Sequence, residues 1–221
     1  MNKFKELSRR THNRWARGLS RRIFLSLPVI LAATRARAAG PIEVGTVSRL
    51  VGTPSILRGA QDLPAVRGMT LREGDKVITG SGGRLEITST EGTVIVVGEA
   101  TTVVLTRFVA PSDAGPGTGL LDLIEGILRL QLPHSWNRFE VTTATAVASV
   151  RSTEWMIEGT AARSSVFVAK GRVEVENRAR TAAVLLDPGF GTDVPAGGLP
   201  GTPKRWGQGR IDEDLARTRI P

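Results

Sequence analysis

Two neighbouring residues have the makings of acid–base chemistry. His134 and Ser135, in Leu-Pro-His-Ser-Trp-Asn, set a group that titrates near neutrality beside a hydroxyl, the beginnings of a general base and its nucleophile. A hydrolase built on them needs a third group to orient the imidazole and donors for an oxyanion, and His134→Ala should abolish it. The chain has no cysteine, and its other histidine is His12, so a metal site at His134 would have to be completed by carboxylates. The plainer reading is a polar residue in a loop after Pro133.

Other stretches resemble sites in composition only. Gly80-Ser81-Gly82-Gly83 and Gly115-Pro116-Gly117-Thr118-Gly119 are glycine-rich, but neither opens a helix or continues into Gly-Lys-Ser/Thr. They read as hairpin loops rather than phosphate cradles. Asp212-Glu213-Asp214 lacks the alternating spacing of a calcium loop and reads as the acidic first turn of a helix. Trp136, Trp155 and Trp206 are the tryptophans beyond the leader, and there is no tyrosine. Trp155 alternates with Ile157, which suits a core strand. Trp136 and Trp206 fall in expected loops, where one exposed ring could anchor a partner. No catalytic residue, metal or cofactor is expected.

The elements that must position these residues are short strands. From Leu71 to Leu105 three alternating runs, Val77–Thr79, Arg84–Thr88 and Thr93–Val97, are separated by glycine-bearing turns. The alternation puts Leu85 and Ile87 on one face and Glu86 and Thr88 on the other. Ile42–Leu50 and Pro54–Leu57 read as an opening hairpin around Gly52-Thr53, and Gln61–Gly68, with Pro64, as an edge or connector. Thr101–Phe108 is a β-branched strand, and residues 110–119 form a flexible loop. Glu91-Gly92, Glu125-Gly126 and Lys170-Gly171 each place a charged residue and a glycine between alternating runs, which predicts three hairpins. Arg138–Val141, Ala146–Arg151 and Thr153–Glu158 supply further strands. The expected fold is all-β, an antiparallel sandwich or a solenoid-like stack of hairpins spanning residues 41–196. Residues 197–221 are expected to be a Gly/Pro linker and a short helix, Asp212–Arg219, with Ile211 and Leu215 on one side and a Glu213–Arg217 ion pair. Eight residues do not hold a helix in water, so this tail must dock or fray.

The formal charge of +9 is confined to one end of the chain. Residues 1–38 hold ten of the 30 Lys/Arg and one of the 21 Asp/Glu, so the charges of the remainder cancel. A neutral body offers no footprint for nucleic acid. Within the leader, Ser20-Arg21-Arg22-Ile23-Phe24-Leu25 precedes an apolar run to Ala33, and Ala36 and Ala38 flank Arg37. This arrangement resembles a twin-arginine (Tat) export signal, Arg21, Arg22, Phe24 and Leu25 carrying the motif, with cleavage after Ala38. The apolar run is about half of the ~20 residues a membrane-crossing helix needs, and Pro28 interrupts it, so no stable span is expected. The Tat translocase and a signal peptidase are the partners expected during export, and the periplasm is the destination.

Gly74-Asp75-Lys76-Val77-Ile78-Thr79-Gly80, Gly83-Arg84-Leu85 and Glu91-Gly92-Thr93, followed by segments around Gly126, Arg151-Ser152-Thr153 and Gly171, resemble the FecR domain family from about Val44 to Val194. Two positions depart from the family pattern: Thr143-Ala144 stands where Thr-Pro is usual, and Arg151-Ser152-Thr153 where Arg-Gly-Thr is usual. If the family glycine is left-handed, Ser152 would be strained there. The resemblance implies a non-enzymatic β domain, its motif residues here being Gly74, Asp75, Thr79, Gly80, Gly92, Gly126, Arg151, Thr153 and Gly171. Named members carry an outside signal to a cytoplasmic sigma factor. This chain is expected instead to act as a free exported module on an unknown envelope protein or polymer, through a turn side bearing Gly74, Asp75, Thr79 and Arg151–Thr153. The alternative is a glycan- or peptidoglycan-binding module.

Overall fold

In a computed structural model, residues 40–113, 115–133 and 136–221 are described. The leader, with Arg21, Arg22, Phe24, Leu25, Ala36 and Ala38, and the His134-Ser135 pair lie outside the described residues.

Among the described residues, seventeen strands and one helix follow in order. They are β1 (Glu43–Val51), β2 (Ser55–Arg58), β3 (Gln61–Pro64), β4 (Thr70–Arg72), β5 (Lys76–Ile78), β6 (Arg84–Thr88), β7 (Val94–Val97) and β8 (Thr102–Val109). Then come β9 (Gly117–Gln131), β10 (Trp136–Thr142), β11 (Ala146–Val150), β12 (Glu154–Gly159), β13 (Arg163–Lys170) and β14 (Val173–Asn177). β15 (Ala183–Leu186), β16 (Phe190–Pro195), β17 (Lys204–Arg205) and α1 (Gln208–Thr218) end the order.

Pairing sorts the strands into two sheets. The first runs β4-β1-β6-β7-β9-β12-β13-β16-β17. The second runs β3-β2-β5-β8-β9-β10-β11-β14-β15. All these pairings are antiparallel except β9 with β10. The fold is therefore an all-β sandwich, and β9 belongs to both sheets. Its first part pairs with β8 and β10, and from Gly126 onward it pairs with β12 and β7.

Alternation explains the core. Leu85 and Ile87 of β6, Ile95 and Val97 of β7, and Trp155 and Ile157 of β12 point inward from the first sheet. Val103 and Leu105 of β8, Phe139 and Val141 of β10, and Val173 and Val175 of β14 meet them from the second. Each such side chain contributes about 1.5–3 kcal/mol by leaving water. Trp136, expected in a loop, begins β10 and is buried. Its ring lies edge-on to Phe108 and Phe139, with centroids 5.0 Å away in both cases, and its Nε1–H donates to Thr93 Oγ1 at 2.9 Å.

Several expected hairpins are crossings between the sheets. β1 and β2 do not pair with each other; Gly52-Thr53-Pro54 carries the chain from the first sheet to the second. Gly80-Ser81-Gly82-Gly83 returns it from β5 to β6. Lys170-Gly171 likewise takes it from β13 across to β14. Gly126 makes no turn at all, since residues 117–131 are one strand bent at that point. Of the three charged-Gly pairs, Glu91-Gly92 alone joins paired strands, β6 and β7. A positive φ serves either geometry, so the residue type identifies the bend without saying where the chain goes next.

The tail docks. α1 spans Gln208–Thr218 and lies on the outer side of the first sheet, over Met156 and Phe167, with Ile211 and Leu215 facing that side as expected. The expected Glu213–Arg217 pair does not form. Arg217 turns to the sheet instead, its Nη1 donating to Glu158 at 2.7 Å. No acidic residue lies in the first turn, because the helix starts earlier than expected, at Gln208.

Candidate functional site

The motif residues make joints. Asp75, buried between β4 and β5, accepts from Arg58 Nε and Nη2 at 2.8 and 2.7 Å and from the Arg72 N–H at 2.9 Å. One carboxylate thus ties β2 to the crossing that follows β4. At the other end of β5, buried Thr79 donates to the Gly98 carbonyl at 2.7 Å and accepts from the Thr101 N–H at 3.0 Å. Thr101 Oγ1 in turn accepts the Ile127 N–H at 2.9 Å, just past Gly126. Gly126 has φ +106°, and a Cβ there would fall 2.2 Å from Thr101 Oγ1. Glycine is needed at this position for both reasons.

Arg151, Ser152 and Thr153 carry the chain from β11 to β12 at the opposite end of β9's second part, since Glu154 pairs with Gln131 and Gly159 with Gly126. Gly171 packs here: a Cβ on it would lie 2.5 Å from both the Ser152 carbonyl and Thr153 Cγ2. Ser152 is not among the residues with positive φ, so its Cβ carries no left-handed strain. The Thr143 departure is equally quiet. Its hydroxyl accepts the Ala146 N–H at 2.9 Å and closes the turn between β10 and β11 without help from residue 144.

The expected contiguous turn surface is therefore not assembled. Asp75 and Thr79 are buried at opposite ends of β5, and Arg151–Thr153 belong to a different crossing. Of these residues Arg151 is the one with an exposed functional side chain, and it makes no hydrogen bond or ion pair among the described residues.

Arg151 lines a groove of about 450 Å³ on the outer side of the second sheet. Register explains its composition. Glu140, Ser149, Glu174 and Leu185 are cross-strand neighbours over β10, β11, β14 and β15. One step past the Phe139–Val150 and Val173–Leu186 pairs stand Arg138, Arg151, Arg172 and Asp187. Arg138 donates to Glu140 at 2.6 Å and Arg172 to Asp187 at 2.9 Å. Burial would raise the Glu140 carboxyl, but hydrogen bonds from Arg138 and Ser149, with Arg180 nearby, hold it below the usual carboxylate range. Among the described residues, two guanidiniums are thus committed within the groove and Arg151 is without a partner. Nothing in the motif spacing signalled this groove, since two of its walls come from β14 and the unforeseen β15.

The tryptophans are occupied. Trp155 is buried, and Trp206 stacks on Phe167 with centroids 5.1 Å apart, under the Arg210 guanidinium 3.5 Å from its ring. A Cβ on Gly191 would fall 2.3 Å from Trp206 Nε1. Trp206 anchors the chain's own tail. Among the described residues, no three His, Cys, Asp or Glu side chains gather as a metal site, and no helix is long and apolar enough to cross a membrane.

Comparison with known proteins bears on this framework of joints. The FecR protein family model matches residues 75–174, from the buried Asp75 to Glu174 in the groove. Two crystal structures of a candidate anti-sigma factor from Parabacteroides distasonis ATCC 8503, at 1.65 and 2.50 Å resolution, share the fold. Each is 19% identical with a TM-score of 0.51 over 63% of this chain. The matched part spans 64% and 63% of those chains. No curated protein matches the sequence.

Proposed function

We propose that this chain is a non-enzymatic interaction or signalling module of the cell envelope, exported to the periplasm by the twin-arginine route and freed of its leader after Ala38. The observation that carries the reading is the family match over residues 75–174, whose motif residues are spent on joints between the sheets. A body whose buried polar groups hold corners together, and whose free charge lies on an open sheet, is suited to binding. The regulatory role of the anti-sigma-like neighbour supports a place in signalling, with an envelope protein as the partner.

The glycan-binding alternative draws little support. Sugar-stacking platforms use exposed rings, whereas Trp136 and Trp155 are buried and Trp206 holds the tail.

Affinity capture from periplasmic extract with the mature chain tests the interaction reading. A specific protein partner is expected, and recovery of none from native extract or after crosslinking in cells would remove it. Export is tested separately. Replacing Arg21 and Arg22 by lysine should hold the protein in the cytoplasm, and the secreted form should begin at Ala39.

A further inference from the structure

Resting on the reading of this chain as an interaction module, we infer that β15 is the docking edge: an extended segment of a protein partner adds beside it as a further strand and sets one carboxylate against Arg151. The two sheets have four edges among the described residues, and three are guarded. β3 carries Asp62 and Pro64, β4 carries Arg72, and β17 is Lys204 and Arg205. Charges and proline on an edge are what discourage another chain from pairing there. β15 reads Ala183-Val184-Leu185-Leu186, with neither, and it pairs with β14 alone.

The ladder shows which backbone groups are on offer. The Asn177 N–H donates to the Ala182 carbonyl at 3.2 Å, and bonded pairs in an antiparallel ladder recur at every second residue. Val184 and Leu186 therefore spend their N–H and C=O on β14, while Ala183 and Leu185 direct theirs outward. The side chains divide to match. Leu186 is buried and Val184 packs against the core, whereas Leu185 is 55% exposed. A strand entering here meets open hydrogen-bonding groups and an apolar contact together, the pattern of recognition by strand addition.

Leu185 also lines the groove that holds Arg151. Arg151 lies two strands in from this edge, on the same outer face as Leu185, so its free guanidinium selects for a long acidic side chain that reaches back over β15, which it holds bidentately. Glu174 lines the same groove and makes no ion pair among the described residues, so it repels a run of acidic residues. The segment that fits carries a single acid near an apolar residue. A polysaccharide supplies carboxylates too, but it has no backbone to continue the sheet.

The test places a photo-crosslinking amino acid at position 183 of the full-length chain in its own host, with Val66 and Val109, both exposed, as control positions. A protein adduct from position 183 is expected, with mass spectrometry placing the crosslink in an extended segment bearing one acid. Leu185→Lys, which guards the edge, and Arg151→Ala should each lower its yield at least fivefold. Both changes are on exposed side chains, and circular dichroism checks that the fold is kept. Adducts from the control positions but not from 183 overturn the edge while leaving the interaction reading standing. So does an adduct at 183 that ignores Leu185→Lys. A protease-resistant, glycosidase-sensitive adduct overturns the peptide in favour of a glycan, and no adduct from any position removes the interaction reading itself.

Discussion

The Thr101 hydroxyl sits where a Cβ on Gly126 would have to go, 2.2 Å from that position. The contact lets β9 leave the second sheet and enter the first without a loop, because the same hydroxyl accepts the Ile127 N–H at the bend. Gly126→Ala adds a methyl group against Thr101 Cα and Oγ1 and puts a side chain at φ +106°. Strain and overpacking each cost about 1–3 kcal/mol, so a loss of roughly 3 kcal/mol or more is expected in urea unfolding. A loss below about 1 kcal/mol would mean the bend is not where the sheets are tied.

Asp75 is the second tie. Its removal strands the Arg72 N–H and the Arg58 guanidinium, whose side chain is 28% exposed and so partly rescued by water. Losing one partner of a buried pair costs about 3–5 kcal/mol, and the partial exposure puts Asp75→Ala nearer 2–3 kcal/mol. Arg58→Ala should cost less, and the double variant should cost less than the sum of the two. Additive losses in denaturant titrations would show that the two side chains are not coupled.

How far the sequence led follows from what local pattern encodes. Alternation located Leu85, Ile87, Trp155 and Ile157 correctly, because a period of two reports which side of a strand is wet. It could not distinguish a hairpin from a crossing at Gly171, since both begin with a strand, a positive φ and a strand. β16 was hidden by the glycines and prolines around it, and its membership in the first sheet depends on pairing with β13, distant in sequence. The groove was invisible for a related reason. Arg138, Arg151 and Arg172 come from three segments that only the register of β10, β11 and β14 aligns.

Trp206 should act as the latch of the tail. It stacks on Phe167, lies over Gly191 and is covered by Arg210, which also donates to Asp193 at 2.9 Å. An eleven-residue helix is marginal alone, so it persists only while docked. Trp206→Ala should remove roughly 2 kcal/mol of docking, scaled down from the cost of deleting a fully buried aromatic. Amide exchange in residues 208–218 should then speed up at least tenfold while β6, β7 and β12 stay protected. Unchanged exchange in the helix would place the latch elsewhere, at the Arg84 bond to the Arg217 carbonyl or the Arg49 bond to Ile220.

Docking of this helix should also depend on pH, through two sets of carboxyls with opposite signs. Arg49 first, against some burial, holds Glu86 below its ordinary value, and Arg129 does the same for Glu154. For Asp193 burial pushes upward, but Arg210 and Ser165 outweigh it. These three stabilise the fold above the ordinary carboxylate range, and the contribution is lost as pH falls through their lowered values. Asp214 is the reverse case. It faces the sheet from within α1, where burial and then the charge of Glu158 raise its value, against the pull of Arg210 and Arg217. Its ionised form is a penalty at neutral pH, and the penalty is relieved as pH falls through the raised value. Asp214→Asn should therefore tighten the helix at pH 7, measured by amide exchange in residues 208–218. The advantage over the parent chain should shrink as pH falls and vanish below the ordinary aspartate value, where both side chains are neutral in either state. A helix that was instead looser in Asp214→Asn at pH 7, with the deficit fading as pH falls, would mean that Asp214 is held ionised by Arg217 and Arg210, and that the helix docks as part of an ion-pair network.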